Sequence, residues 1–185
     1  RKDFAKQGRE MDYDKITNLA SEATPLVTLL DPFLSSWNAP GEMGRRIADY
    51  AKATGQPVPQ SDGAMVRACL ESLALAYRET LESIEKVTGE KIKTLHIVGG
   101  GSQNKLLNQM AADATGRTVV TGPIEGTAIG NLLIQAYGLG HLKSHQEIRA
   151  VVRDSFPSEV FQPQSNPLWE DAWKRFQILR TPKRK

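Results

Sequence analysis

Three consecutive glycines, Gly99, Gly100 and Gly101, stand between a short apolar run, Leu95 to Val98, and a polar trio, Ser102, Gln103 and Asn104. Glycines at such a turn leave bare backbone that a flat ligand can approach, because no Cβ stands in the way. Leu106, Leu107, Met110 and Ala114 then recur at helical spacing. The turn therefore feeds a helix N-terminus, whose first N–H groups have no partner inside the helix. Strand, bare turn and helix start fit a nucleotide, and they equally fit a turn that uses glycine for geometry alone. Asn104 is the side chain best suited to an adenine edge or a ribose, since an amide both donates and accepts.

Two common phosphate motifs do not fit. The dinucleotide fingerprint G-x-G-x-x-G needs a glycine where Asn104 stands and an acid about 20 positions on, where Val119, Val120 and Thr121 stand. The Walker loop needs Gly-Lys-Ser/Thr, whereas Lys105 lies between Asn104 and Leu106. No nucleophile or proton-transfer pair stands out. His96, inside the strand, reads as a satisfied core histidine, and His141 and His145 have no carboxylate at a telling spacing. Asp113 falls about 13 Å along the helix from Asn104, too far to serve the turn. Glu125 reads as a favourable charge at a helix start. The sequence thus assigns no catalytic residue and no metal ligand.

The elements that must hold this turn follow from the flanking pattern. Residues 1–14 read as the end of a helix and a polar connection. A short helix capped by Asp14 carries Ile16, Leu19 and Ala20 and stops at Pro25. Leu26 to Leu30 has the length of a strand but also suits a packed loop, and Phe33, Leu34 and Trp37 form an apolar loop after Asp31-Pro32. A helix starting at Asn38 to Gly41 runs to Thr54-Gly55, and Pro57 and Pro59 prevent its continuation. Ser61-Asp62 then caps the longest periodic stretch, Gly63 to Thr88, which is apolar on nearly every face around Leu70 to Tyr77 and ends at Gly89.

Beyond the glycine turn and its helix, Arg117 to Thr121 is strand-like, Ile124 to Asn131 is a second small-residue segment, and Leu132 to Leu139 is helical. Helix, strand, helix, strand, helix predicts a parallel sheet whose ligands bind beyond the C-terminal strand ends, where both glycine-rich turns lie. Ser144 to Glu147 is a capping box, Phe156 and Phe161 flank an irregular stretch, and Asn166-Pro167 opens a last helix. Its stripe of Trp169, Trp173, Phe176 and Leu179 is core or interface.

Composition narrows the class. At 185 residues, 39% of them hydrophobic, the chain can bury a core. It has no apolar run of membrane-spanning length and a polar start, which places it in the cytoplasm. The single cysteine, Cys69, excludes an internal disulfide and reads as a small core residue. Net charge is +3, with six Lys or Arg and no acid from Lys174 to Lys185. That reads as a solvated basic tail, and no interleaving of aromatic and basic residues supports nucleic-acid binding. A start at Arg1 suggests a chain cut from something longer.

The run LHIVGGGSQNKLLNQMAADATG followed by VVTGPIEGTAIGN resembles the C-terminal part of the FGGY-type carbohydrate kinases, within them the rhamnulokinases, and QPVPQSD and LESLALAYRETLE match as well. The likeness covers about residues 31–163. It implies an α/β fold, a partial actin-like ATPase (ribonuclease H-like) lobe of parallel strands with packed helices. Residues 1–62 would lead into the lobe, 63–163 would form its nucleotide-binding part, and 164–185 would be a terminal helix and basic tail.

By position in that family, Gly100 and Asn104 contact adenosine, with Gly99, Gly101, Ser102 and Gln103 lining the same turn. Gly126 stands where the family more often has alanine. The resemblance implies ATP and Mg²⁺ as cofactors and a ketose, L-rhamnulose, as phosphoryl acceptor. The sugar-binding residues and the catalytic aspartate would lie upstream, so the chain alone should bind ATP weakly and show no kinase activity. Kinases of the same type acting on fuculose or xylulose, and a scaffold protein that kept the fold, remain as alternatives. A missing lobe also predicts exposed apolar surface at Phe33, Leu34 and Trp37 and along the last helix, and hence self-association.

Overall fold

The computed structural model describes residues 2–6 and 8–180. In chain order it comprises α1 (Lys2–Lys6), α2 (Tyr13–Glu22), α3 (Met43–Ala53), α4 (Asp62–Thr88), β1 (Thr94–Ile97), α5 (Lys105–Thr115), β2 (Thr118–Thr121), α6 (Gly126–Gly138), α7 (His145–Ser155), β3 (Val160–Phe161) and α8 (Leu168–Arg180). Short 3₁₀ turns fall at Ser35–Asn38 and Gly100–Gln103. Residues 181–185 of the expected basic tail lie outside the described residues.

Helix α4 is the spine. Ser61 Oγ accepts from Ala64 N at 3.1 Å at its start, and Gly89 closes it in the left-handed region, φ 73°. Its apolar faces pack on α2, α5 and α8, in a core that joins Leu29, Leu75, Leu107, Met110, Trp169, Trp173 and Phe176. Where α4 starts it crosses α2 closely enough that a Cβ on Gly63 would stand 2.2 Å from the Leu19 carbonyl oxygen. Backbone cannot move aside as a side-chain tip can. Gly63→Ala is therefore expected to force the helices apart and lower the urea unfolding free energy by about 1–3 kcal/mol. Gly55→Ala, where a Cβ would meet no atom but φ is positive, gives a backbone-strain control of about 1 kcal/mol.

Strands β1 and β2 pair in parallel, Thr94 with Thr118 through Ile97 with Thr121, with α5 as the crossover. The stretch between Phe156 and Phe161 is not wholly irregular: β3 pairs antiparallel with β2, Val119 against Phe161 and Val120 against Val160. The sheet is therefore mixed, in the order β1-β2-β3, rather than parallel throughout. Two residues are too few to show a strand period in sequence. Glu85, buried near the end of α4, ties this sheet to the spine by accepting from Ile92 N at 2.9 Å, Lys91 Nζ at 2.6 Å and Arg117 Nη2 at 3.1 Å. Those donors hold its carboxyl down to about 2.

Several boundaries move. Helix α2 starts two residues earlier than expected, because Asp12 rather than Asp14 is the cap, its Oδ1 accepting from Lys15 N at 2.7 Å. Helix α3 starts at Met43, past Asn38 to Gly41, and α6 starts at Gly126 rather than Leu132. Leu26 to Leu30 is a loop, with Leu26, Leu29 and Leu30 buried. The capping box at α7 holds on one side: Ser144 Oγ accepts from Glu147 N at 3.2 Å, while Glu147 reaches back to Lys143 N at 2.7 Å.

The aromatic stripe of the last helix is not the exposed surface that was expected, although Leu168 and Ile178 on the same helix are exposed. Trp169, Trp173 and Phe176 of α8 are buried, and Trp37 is half-buried with its Nε1 donating to Asp31 O at 2.6 Å. Phe33 and Leu34 are exposed, with the Arg180 guanidinium 4.4 Å from the Phe33 ring centre. The larger exposed apolar group is on α6 and its C-cap, where Leu132, Ile134, Tyr137 and the capping Leu139 are exposed. Among the described residues no helix is long and apolar enough to cross a membrane.

Candidate nucleotide site

The glycine turn begins where β1 ends. Gly99 holds φ 81° and ψ −169°, a backbone shape that side chains disfavour, and its N–H donates to Pro123 O at 3.0 Å. Gly122 N donates to Ile97 O at 2.8 Å, so the two glycine-bearing turns are bonded to each other beyond the strand ends. That contact is close. A Cβ on Gly122 would lie 2.6 Å from Val98 Cγ1, and one on Gly126 would lie 3.6 Å from Val98 Cβ.

The six residues expected at the site divide into two sets. Gly100 and Gly101 are open: a Cβ on either would meet no heavy atom within 4 Å, so bare backbone faces space. Gln103 is exposed beside them. Ser102 instead points inward, 8% exposed, with its Oγ donating to Gly99 O at 2.7 Å and its N–H to the same oxygen at 3.0 Å. It pins Gly99 and does not line the open face.

Asn104 is half-buried and caps α5, its Oδ1 accepting from Leu107 N at 3.0 Å. The cap uses the acceptor of the amide and not its Nδ2 donors. Lys105, next in the chain, bridges to Glu159 at 2.8 Å.

Other expected roles resolve in the structure. His96 is exposed, not a core histidine; among the described residues β1 is an edge strand of the sheet. Asp113 pins the approach to α8, accepting from Gln164 N and Gln109 Nε2, both at 2.8 Å. Glu125 sits at the start of α6, exposed and without a capping bond. Cys69 is half-buried, and burial pushes its thiol up to about 11, which leaves it a poor nucleophile.

Among the described residues no group of three or more His, Cys, Asp or Glu is placed to hold a metal. A cleft of about 960 Å³, lined by Asp3, Met11, Trp37 and Met43, lies among the N-terminal elements and not at the turn. The residue that motif reasoning missed is Asn108. Its signal was a polar side chain one helical turn beyond Asn104, between the buried Leu107 and Met110.

A mixed sheet with a bare glycine turn and a capped helix at its strand ends is the setting in which similarity to known proteins can be weighed. Residues 1–139 match the model of the FGGY family of carbohydrate kinases, C-terminal domain. The chain belongs to the FGGY family of carbohydrate kinases.

Within it, the chain is 39% identical over 167 residues to a rhamnulokinase of Bacteroides thetaiotaomicron, covering 90% of this chain and 34% of that protein. It is 38% identical over 175 residues to a rhamnulokinase of Enterococcus faecalis, covering 94% and 35%. The chain thus spans about a third of the length of the curated relatives it matches. Among solved structures, a xylulose kinase of Rhodospirillum rubrum superposes with a TM-score of 0.64 at 21% identity, covering 90% of this chain and 33% of that one. A Plasmodium falciparum glycerol kinase, solved with ADP, superposes with 0.67 at 17% identity, covering 98% and 36%. At those identities the superpositions show the fold, a part of the α/β lobe of these sugar kinases.

Proposed function

We propose that the chain is the ATP-binding C-terminal part of a rhamnulokinase, a cytoplasmic enzyme that phosphorylates L-rhamnulose to L-rhamnulose 1-phosphate. The observation that carries this is the open backbone of Gly100 and Gly101 at the C-terminal end of β1, beside the Asn104 cap. Two rhamnulokinases at 38–39% identity support it, as does the ADP with which the similar glycerol kinase was crystallised.

The residues fit an adenosine. Bare backbone suits its flat face, Asn104 Nδ2 suits an acceptor on its edge or ribose, and Gln103 stands exposed beside them. ATP, when bound, supplies the phosphoryl group, with Mg²⁺ held on its phosphates. The chain's own residues hold and orient the nucleoside end. Sugar binding and proton acceptance from the sugar hydroxyl belong to the other two thirds of the kinase, so this chain alone does not turn over.

Gly101→Val tests the reading without disturbing the fold, since Gly101 has an ordinary φ and open space at its Cβ. The variant is expected to keep its melting temperature while its affinity for Mg·ATP, read by calorimetry, falls at least tenfold. Asn104→Ala should also weaken binding and, through the lost cap, destabilise by about 1 kcal/mol. Binding that is absent in the unsubstituted chain as well would favour a scaffold that kept the fold. Sugar-dependent ADP release by the isolated chain would overturn the division of labour.

A further inference from the structure

We infer that Asn108 is the positioning residue of the glycine turn, the group that fixes where Gly100 to Asn104 stand; its value for ligand binding rests on the nucleotide reading above. Asn108 lies in the first turns of α5 and is wholly buried, 0% exposed. Its Nδ2 donates at 2.8 Å to the carbonyl of Ser102, six residues back and across the Asn104 cap. Ser102 is the residue that grips Gly99 O through both its N–H and its hydroxyl. The bonds therefore run in series, from the helix through Asn108 and Ser102 to the glycine whose backbone shape sets the direction of the turn.

The other end of the amide shows that this bond is directional. Asn108 Oδ1 is the one buried side-chain N or O atom among the described residues with no hydrogen-bond partner. An unpaired buried acceptor is unfavourable, and a leucine of similar size would not carry it. Turning the amide over would not help. It would set Oδ1 against the Ser102 carbonyl, acceptor to acceptor, and leave two donors in its place. What the amide gives in return for its unpaired oxygen is the hold on Ser102.

Two variants separate positioning from bulk packing. Asn108→Leu fills the space and removes the donor. Asn108→Asp keeps the shape, but at neutral pH sets a carboxylate against the Ser102 carbonyl; burial raises the pKa of such a carboxyl, so in acid it is protonated and can donate again. The measurements are amide hydrogen-exchange protection across residues 100–104 and across α4, and ADP titration, all on the 185-residue chain.

In Asn108→Leu, protection of residues 100–104 is expected to fall at least tenfold with α4 unchanged, and ADP affinity to fall at least tenfold. Asn108→Asp should match it at pH 8 and recover toward the unsubstituted chain at pH 5. Unchanged protection of the turn, or loss in α4 to the same degree without acid recovery, overturns the inference. If the unsubstituted chain binds no ADP while turn protection follows the expected pattern, the nucleotide reading falls and the anchor stands.

Discussion

Phe176→Ala is expected to lower the unfolding free energy of the chain by about 3–5 kcal/mol, the cost of emptying a large buried aromatic site. Phe176 is 0% exposed on α8 and stacks on Trp173 with ring centres 6.0 Å apart and planes 20° apart. The cluster it fills also contains Leu29 from the loop before α3, Leu75 from α4 and Leu107 and Met110 from α5. One side chain therefore closes the core between the terminal helix and the helix that carries the glycine turn. At about 2–4 °C per kcal/mol for a chain of this length, the melting temperature should fall by about 6–20 °C. Ile178→Ala, two residues on and 72% exposed, is the control and should change stability by less than about 0.5 kcal/mol. Equal and small effects at both positions would mean that α8 does not pack on the lobe and that the stripe serves an interface instead.

That contrast marks where local pattern stops being informative. The spacing of Trp169, Trp173 and Phe176 establishes that α8 has an apolar face. It cannot say whether the same chain covers that face, because the answer lies in Leu29 and Leu75, about 150 and 100 residues away. Features written in adjacent residues were legible: the Ser61 cap and Gly89 stop of α4, and the strand before Gly99. Features that depend on what lies opposite were not. Leu26 to Leu30 has the composition of a strand but, among the described residues, no strand beside it, His96 is exposed on the edge strand β1, and β3 pairs with β2. At the glycine turn the residue types are plain in the sequence, but not which of them turn in. Ser102 and Asn108 do so and bond within the turn, while Gly100 and Gly101 face open space, Gln103 is exposed and the Asn104 cap uses only its Oδ1.

Glu71→Ala is expected to cost about as much as Phe176→Ala, again about 3–5 kcal/mol, for an electrostatic reason. The side chain of Glu71 is 2% exposed, and it has two donors, Arg67 Nε at 2.7 Å and Leu26 N at 2.8 Å. Burial raises its carboxyl pKa while those donors lower it. Arg67 reaches on to the carbonyls of Ala20 and Ser21, at 3.0 and 3.1 Å, at the end of α2. Among the described residues no strand pairs with the loop from Leu26 to Leu30, and side chains accept from its backbone: Glu71 for Leu26, Gln56 for Leu29 and Ser72 for Leu30. Leu26 also sits at φ 55°, which a non-glycine residue holds only when its surroundings insist.

Removing the carboxylate leaves the half-buried Arg67 Nε and the buried Leu26 N–H without their acceptor and releases Leu26 from its strained shape. Glu71→Gln separates the contributions. Its single acceptor oxygen can serve one donor while its amide faces the other, so a cost of about 1–3 kcal/mol is expected. A glutamine variant as stable as the parent would mean that the charge contributes nothing and that the carboxyl acts in its protonated form. In the alanine variant, hydrogen exchange should rise first at Leu26, Leu29 and Leu30, because their N–H groups depend on α4 and on Gln56 and not on a neighbouring strand.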